Sequence, residues 1–159
     1  MTQRINAPQQ SPKLFKKLVE FSMLAHDGSI EQGIHDLVAI RASQLNGCAF
    51  CVDMHIKQAK LHGERELRLY HLPIWRESTL FAPRERAALA WTEVLTRLPE
   101  QGVPDDLYER VRTQLSEQEL CDLTFAVMTI NAWNRLNVAF RTVPGSSDVA
   151  FGLDKAQLS

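Results

Sequence analysis

No apolar run in this sequence approaches the roughly 18 residues of a membrane-spanning helix, and the opening MTQRINAPQQS holds an arginine but no apolar segment like that of a secretory leader. The expectation is a soluble, cytoplasmic protein. Charge of one sign is missing as a block: 18 Lys and Arg are interspersed with 19 Asp and Glu for a formal net charge of −1, leaving no basic stripe or acidic tail to meet nucleic acid or a membrane surface. Small-molecule or protein partners are favoured. Cysteine is scarce, and three residues with a single close pair do not make the disulfide framework of a secreted domain. In a reducing compartment such a pair more often serves redox chemistry or metal binding. Strand-like alternation, internal repeats and linkers are also lacking, which removes sheets, solenoids and a second domain from consideration.

What is present is helical periodicity in a chain long enough to bury one core by itself. After a polar N-terminal arm at 1–10, Ser11 and Pro12 suit the start of a helix with Leu14, Phe15, Leu18, Phe21 and Leu24 or Ala25 at helical spacing, ended by Asp27-Gly28. A second helix is expected from Glu31 to Leu45, broken by Asn46-Gly47, and a third carries the close cysteines to His62, with Gly63 as its cap. A short helix over 64–71 and an irregular connection anchored by Ile74, Trp75 and Phe81 come next. Further helices follow from Pro83 to Leu98 and from Pro104 to Leu115, and a last long one, opened by the Ser116/Glu119 capping box, reaches Phe140 with so broad an apolar surface that it should be nearly surrounded. The stretch from 143 to 159 reads as a flexible tail. The fold class is therefore all-α, a single-domain helical bundle of about six to seven helices spanning residues 1–159.

The chemistry concentrates in DLVAIRASQLNGCAFCVDMH, residues 36–55. On a helix, Cys51 follows Cys48 by three residues and His55 follows Cys51 by four, so two thiols and an imidazole share one face. If the chain folds back at Asn46-Gly47, Asp36 comes roughly opposite Lys57 and within about one turn of His55. This predicts a line Asp36, His55, Cys51, in which the carboxylate orients or charges the imidazole and the imidazole takes the thiol proton. A helix N-terminus and a neighbouring imidazolium would both favour the thiolate. Peroxide reduction follows: the thiolate attacks a peroxide oxygen, a sulfenic acid forms, and Cys48 condenses with it to a disulfide. No bound cofactor is required.

The pattern R-x-S-Q-x-N-G-C-x-x-C-x-x-x-H resembles the core motif of the alkylhydroperoxidase D branch of the carboxymuconolactone decarboxylase superfamily. Trp75-Arg76-Glu77-Ser78, the alanine-rich helix after Pro83 and Asn131-Ala132-Trp133-Asn134-Arg135 extend the likeness to single-repeat members over roughly residues 12–141. The resemblance implies an all-helical fold assembled as a homo-oligomer, trimer or hexamer. It also implies peroxidase activity with Cys51 peroxidatic, Cys48 resolving and His55 in the proton relay, and a disulfide reductant such as a lipoyl or thioredoxin-like protein. Two positions depart from the family pattern: Asp36 stands where glutamate is usual, and Phe50 where the prototype has histidine.

Other readings compete. Zinc could draw on Cys48, Cys51 and His55 with Asp36 or His35 as a fourth ligand, although a second clustered pair is missing. Lactone decarboxylation is the other activity of the superfamily but has no use for two thiols, and a non-catalytic redox-sensing oligomer would keep the disulfide without turnover. Cys121 is expected as an inert core residue. His26, His35, His62 and His71 are expected as capping or solvated groups, and Trp75, Trp91 and Trp133 as packing anchors.

Overall fold

The computed structural model describes residues 2–156, and among them every regular element is helical. The helices are α1 (Ala7–Gln10), α2 (Pro12–His26), α3 (Gln32–Leu45), α4 (Ala49–Leu61), α5 (Glu66–His71), α6 (Pro83–Thr96), α7 (Asp105–Arg112), α8 (Glu117–Phe140) and α9 (Asp148–Phe151). Single 3₁₀ turns occupy Leu72–Ile74 and Leu153–Ala156. The expected all-α bundle is found, with the short α1 and α9 added at its ends. None of the described helices is long and apolar enough to cross a membrane.

Helix α3 is the axis of the bundle because apolar residues are spread around most of its circumference. Ile34 and Val38 pack with Trp91 of α6 and Leu123 and Val127 of α8, while Leu37 and Ile40 face Ala59 of α4, Leu72, Trp75 and Leu89. One helix thus joins two apolar clusters. Each fully buried Leu or Ile contributes about 1.5–3 kcal/mol relative to exposure, so the register of α3 is strongly fixed. The expected break at Asn46-Gly47 allows α4 to fold back along α3, and Gly47 takes a φ of +66°, a conformation that suits glycine.

The family-like motif has a structural meaning. Ser43 Oγ accepts from Asn134 Nδ2 (2.9 Å), and Asn46 Nδ2 donates to Asn134 Oδ1 (2.8 Å) and Asn131 Oδ1 (3.0 Å). Asn131 in turn donates to Thr96 Oγ1 (3.1 Å). These buried amides and hydroxyls satisfy one another, which pins the α3–α4 turn to α8 and α6. Arg41 donates to Glu93 (2.7 Å), which also accepts from Trp75 Nε1 (2.8 Å) and Arg76 (2.6 Å), so the Trp75–Ser78 segment is tied to the same frame.

Several expectations fail, among them Ile74, expected as an anchor of its connection but 58% exposed while Trp75 and Phe81 are buried. Residues 143–156 are ordered against α4: Leu153 and Ala156 are buried, Asp148 pairs with Lys57 at 2.6 Å, and the Gly145 amide donates to Asp53 at 3.0 Å. The rest of the expected tail lies outside the described residues. Helix α2 buries none of its residues, and Leu14 and Leu24 are 75% and 73% exposed, because α2 lies against α8 at the rim of the bundle. Helix α8 is not surrounded either. Phe125 and Met128 are about half exposed, and Cys121, expected in the core, is on the surface.

Candidate active site

The α4 helix begins where the chemistry is. Cys48 is its N-cap, with extended backbone, and its sulfur accepts from the Cys51 amide at 3.3 Å, so Cys51 sits in the first turn. The unpaired amides of that turn favour negative charge on a nearby sulfur. Cys48 and Cys51 are joined in a disulfide with their Cα atoms 5.3 Å apart, and each is 1% exposed. The predicted pairing of the two thiols is thereby realised geometrically. Cys121 is free and distant in sequence, and among the described residues no group of three or more His, Cys, Asp or Glu is arranged to hold a metal.

A cleft of about 970 Å³ opens over one face of α4. Cys51 lines it, whereas Cys48 does not, so the second cysteine is the one a ligand in the cleft would meet. The walls come from α2, α3 and α8, and both ends of the described chain close the rim through Ile5 and Pro8 on one side and Ala150 and Phe151 on the other. Phe15, Val19, Phe50, Met54, Ile130 and Phe140 make much of the surface apolar. Trp133 lines it too, held by donation from its Nε1 to Ser22 Oγ (2.6 Å) and by edge-on packing with Phe15. Trp75 and Trp91 are buried anchors, as expected, but Trp133 walls the cleft.

His55 lies on this face, and its Nδ1 is 2.8 Å from Gln58 Oε1. The ring is half-buried and opens to the cleft. Burial pushes its pKa down to about 4 against the opposing hydrogen bond to the Gln58 amide oxygen, and His26 lowers it further. At neutral pH it is an uncharged base rather than the imidazolium considered above. Asn137 of α8 donates to Cys51 Sγ at 3.5 Å, a contact that spacing along α4 could not reveal.

Asp36 does not hydrogen-bond His55. Its Oδ2 accepts from His62 Nδ1 at 2.8 Å and its Oδ1 from Gln32 at 3.0 Å. The reason is directional: side chains lean toward the N-terminus of their own helix, so in an antiparallel hairpin Asp36 leans away from the pivot while His62 reaches back toward it. Burial raises the Asp36 pKa, and the bonds from His62 and Gln32 act against that rise.

His26 is exposed in the last turn of α2, as expected, but His35 and His71 are more engaged than a capping or solvated role requires. His35 is 9% exposed, stacks on His26 with ring centroids 4.8 Å apart, and has an Nε2 without a hydrogen-bond partner. Burial, followed by the proximity of His26, pushes its pKa down to about 4. His71 Nδ1 is 3.1 Å from Ser78 Oγ. Gln58 and His62 were missed as site residues. The signal existed, since Cys51, His55, Gln58 and His62 follow one another at spacings of four, three and four, which is a single helical stripe.

The family model of the carboxymuconolactone decarboxylase family matches residues 12–94. The uncharacterized protein YdfG of Bacillus subtilis is 40% identical over 139 residues, covering 87% of this chain and 95% of its own. A crystal structure from Agrobacterium tumefaciens, described as a protein of unknown function and a candidate AhpD antioxidant-defence protein, superposes with a TM-score of 0.87 at 38% identity, covering 90% of this chain and 98% of that one. A peroxidase-related protein of Ralstonia eutropha, described as having an alkylhydroperoxidase AhpD core, shares the fold with a TM-score of 0.78 at 17% identity, covering 89% of this chain and 75% of that one.

Proposed function

We propose, from the premise that the chain belongs to the carboxymuconolactone decarboxylase family as an alkylhydroperoxidase D-like member, that it is a thiol peroxidase reducing organic hydroperoxides through Cys51 and Cys48. The observation that carries this reading is a disulfide-competent pair at the base of an apolar cleft, with only its second member on the cleft wall. In the reduced protein His55 takes the Cys51 thiol proton. The thiolate attacks the terminal peroxide oxygen, the S–O bond forms as O–O breaks, and the alkoxide leaves as alcohol with the proton from His55. Cys48 then attacks the sulfenic sulfur of Cys51: S–S forms, S–O breaks, and the departing hydroxide leaves as water. Two electrons from an external dithiol, of the thioredoxin or lipoyl class, return the pair to thiols.

Asn137 supports this reading because an amide N–H aimed at Cys51 sulfur stabilises its anionic form. Phe50, an apolar wall residue, suits an organic substituent better than hydrogen peroxide itself. The protein works in the cytoplasm and assembles as a trimer or hexamer, with the half-exposed Phe125 and Met128 of α8 and Leu24 of α2 covered by neighbouring copies.

The test is intact-mass analysis with thiol counting on reduced, metal-free protein before and after one equivalent of cumene hydroperoxide. Loss of two hydrogens, linkage of Cys48 to Cys51 on digestion and stoichiometric peroxide consumption are expected. Cys51→Ser should abolish consumption, and Cys48→Ser should accumulate a sulfenic acid at Cys51. Consumption undiminished in Cys51→Ser would overturn the proposal.

A further inference from the structure

The reading of Cys51 as the reacting thiol leaves open what sets the proton acceptor beside it. The stripe Cys51, His55, Gln58, His62 runs along the cleft-facing side of α4 for about 16 Å at 1.5 Å per residue. It is joined at two places by hydrogen bonds: His55 Nδ1 to Gln58 Oε1 at 2.8 Å, and His62 Nδ1 to Asp36 Oδ2 at 2.8 Å. The carboxylate is thus already engaged by His62 and Gln32, and the group in contact with His55 is an amide. An amide oxygen only accepts, so the Nδ1 facing it carries the hydrogen and Nε2 carries the lone pair.

We infer that Gln58, and not Asp36, is the positioning residue for His55: it locks the imidazole in the Nδ1–H form and so fixes Nε2 as the base available to the Cys51 thiol. Asp36 and His62 form a separate pair two turns further along, nearer solvent, where the His62 side chain is 43% exposed and the carboxylate 7%. The other titratable groups that line this cleft are His26 and Asp27 at the end of α2 and His35 from α3, while α8 contributes Thr129, Trp133 and Asn137, none of them charged. An uncharged partner at Nδ1 also accords with burial, since a neutral imidazole–amide pair brings no ion into an apolar cleft. Positioning of a ring by its other nitrogen is worth about 10–100-fold in comparable second contacts around metal-bound histidine.

Imidazole ¹⁵N shifts of His55 in the reduced protein read the tautomer directly, and the pH dependence of Cys51 alkylation by iodoacetamide reads its consequence without any peroxide. The wild type is expected in the Nδ1–H form. Gln58→Leu should lose that form and slow alkylation at pH 7 by roughly 10–100-fold, and Gln58→Glu, which restores an acceptor at the same reach, should recover both. Asp36→Asn should leave the His55 tautomer in place while altering the His62 shifts. A wild-type His55 in the Nε2–H form, or a tautomer switched by Asp36→Asn and not by Gln58→Leu, overturns the inference. If the wild type consumes no peroxide while the Gln58 pattern holds, the peroxidase reading fails and this inference stands.

Discussion

Asn134 has no solvent exposure, and its amide both accepts from Asn46 and donates to Ser43. Replacing it with leucine removes both bonds and leaves Asn46 only its bond to Asn131 and Ser43 only its bond to the Ala39 carbonyl, at about 0.5–1.5 kcal/mol per lost bond, so Asn134→Leu should lower the urea unfolding free energy by about 1–3 kcal/mol. His35 and His55 make a second prediction at this scale. Both are held down to about 4, whereas the unfolded chain titrates near the ordinary 6.5. Between those values the unfolded state binds protons that the folded state refuses, so stability is lost as pH falls from about 6.5 to 4, by up to about 1.4 kcal/mol per pH unit for each histidine. Asp36, whose pKa is raised, takes up its proton earlier when folded and returns part of that loss. Urea midpoints at pH 7 and pH 5 should show the decline, and His35→Leu should make it shallower. The residue types of the site were legible because thiols and an imidazole at 3- and 4-residue spacings leave little choice of face. Their partners were less so: whether His55 meets Asp36 or Gln58 depends on which way side chains lean, and Asn137 reaches Cys51 only through the packing of α8.

At the scale of elements, the α3–α4 hairpin and α8 hold the site in place. The α8 capping box was readable in advance and is present, with the Glu119 amide donating to Ser116 Oγ (3.2 Å) and the Ser116 amide to Glu119 (2.7 Å). Ser116→Ala should cost about 1 kcal/mol, seen as a lower thermal midpoint with the thiol chemistry unchanged. Gly47 is placed differently, at a positive φ between the helix that carries Asp36 and the one that carries the cysteines. Gly47→Ala should cost about 1–2 kcal/mol. By contrast with that cap, Ser11 makes no side-chain bond to α2 although the sequence recommended it. Periodicity gave the helices, but it could not say which apolar faces a single chain covers. Leu14 and Leu24 repeat at core spacing and remain exposed, because burial depends on neighbours that local spacing does not encode.

At the scale of the whole molecule, residues 143–156 are a second layer over α4. Lys57, 11% exposed along its side chain, is clamped between Asp53 (2.8 Å) and Asp148 (2.6 Å), on the helix that also carries Cys51 and His55. The tail looked flexible because PGSSD is turn-rich and its two apolar anchors, Leu153 and Ala156, have no periodic company. Its ionic partner lies 91 residues away. Asp148→Asn should cost about 1–2 kcal/mol, less than removal of a fully buried ion since Lys57 keeps Asp53. Limited proteolysis should then cut within 143–156 faster than in the wild type.

Arg4 donates its backbone amide to Phe140 O (2.8 Å), so the front of the chain is strapped to the end of α8 while the back is latched to α4, and both contribute to the rim of the same cleft. If the proposed reaction holds, an affinity tag fused beyond either of these segments starts beside the mouth of the cleft, the way in for the hydroperoxide and the reductant of that reaction. Kinetic comparison of tagged and tag-free protein belongs at the start of any enzymology on this chain, since a slow tagged enzyme would report the tag before it reported the cysteines.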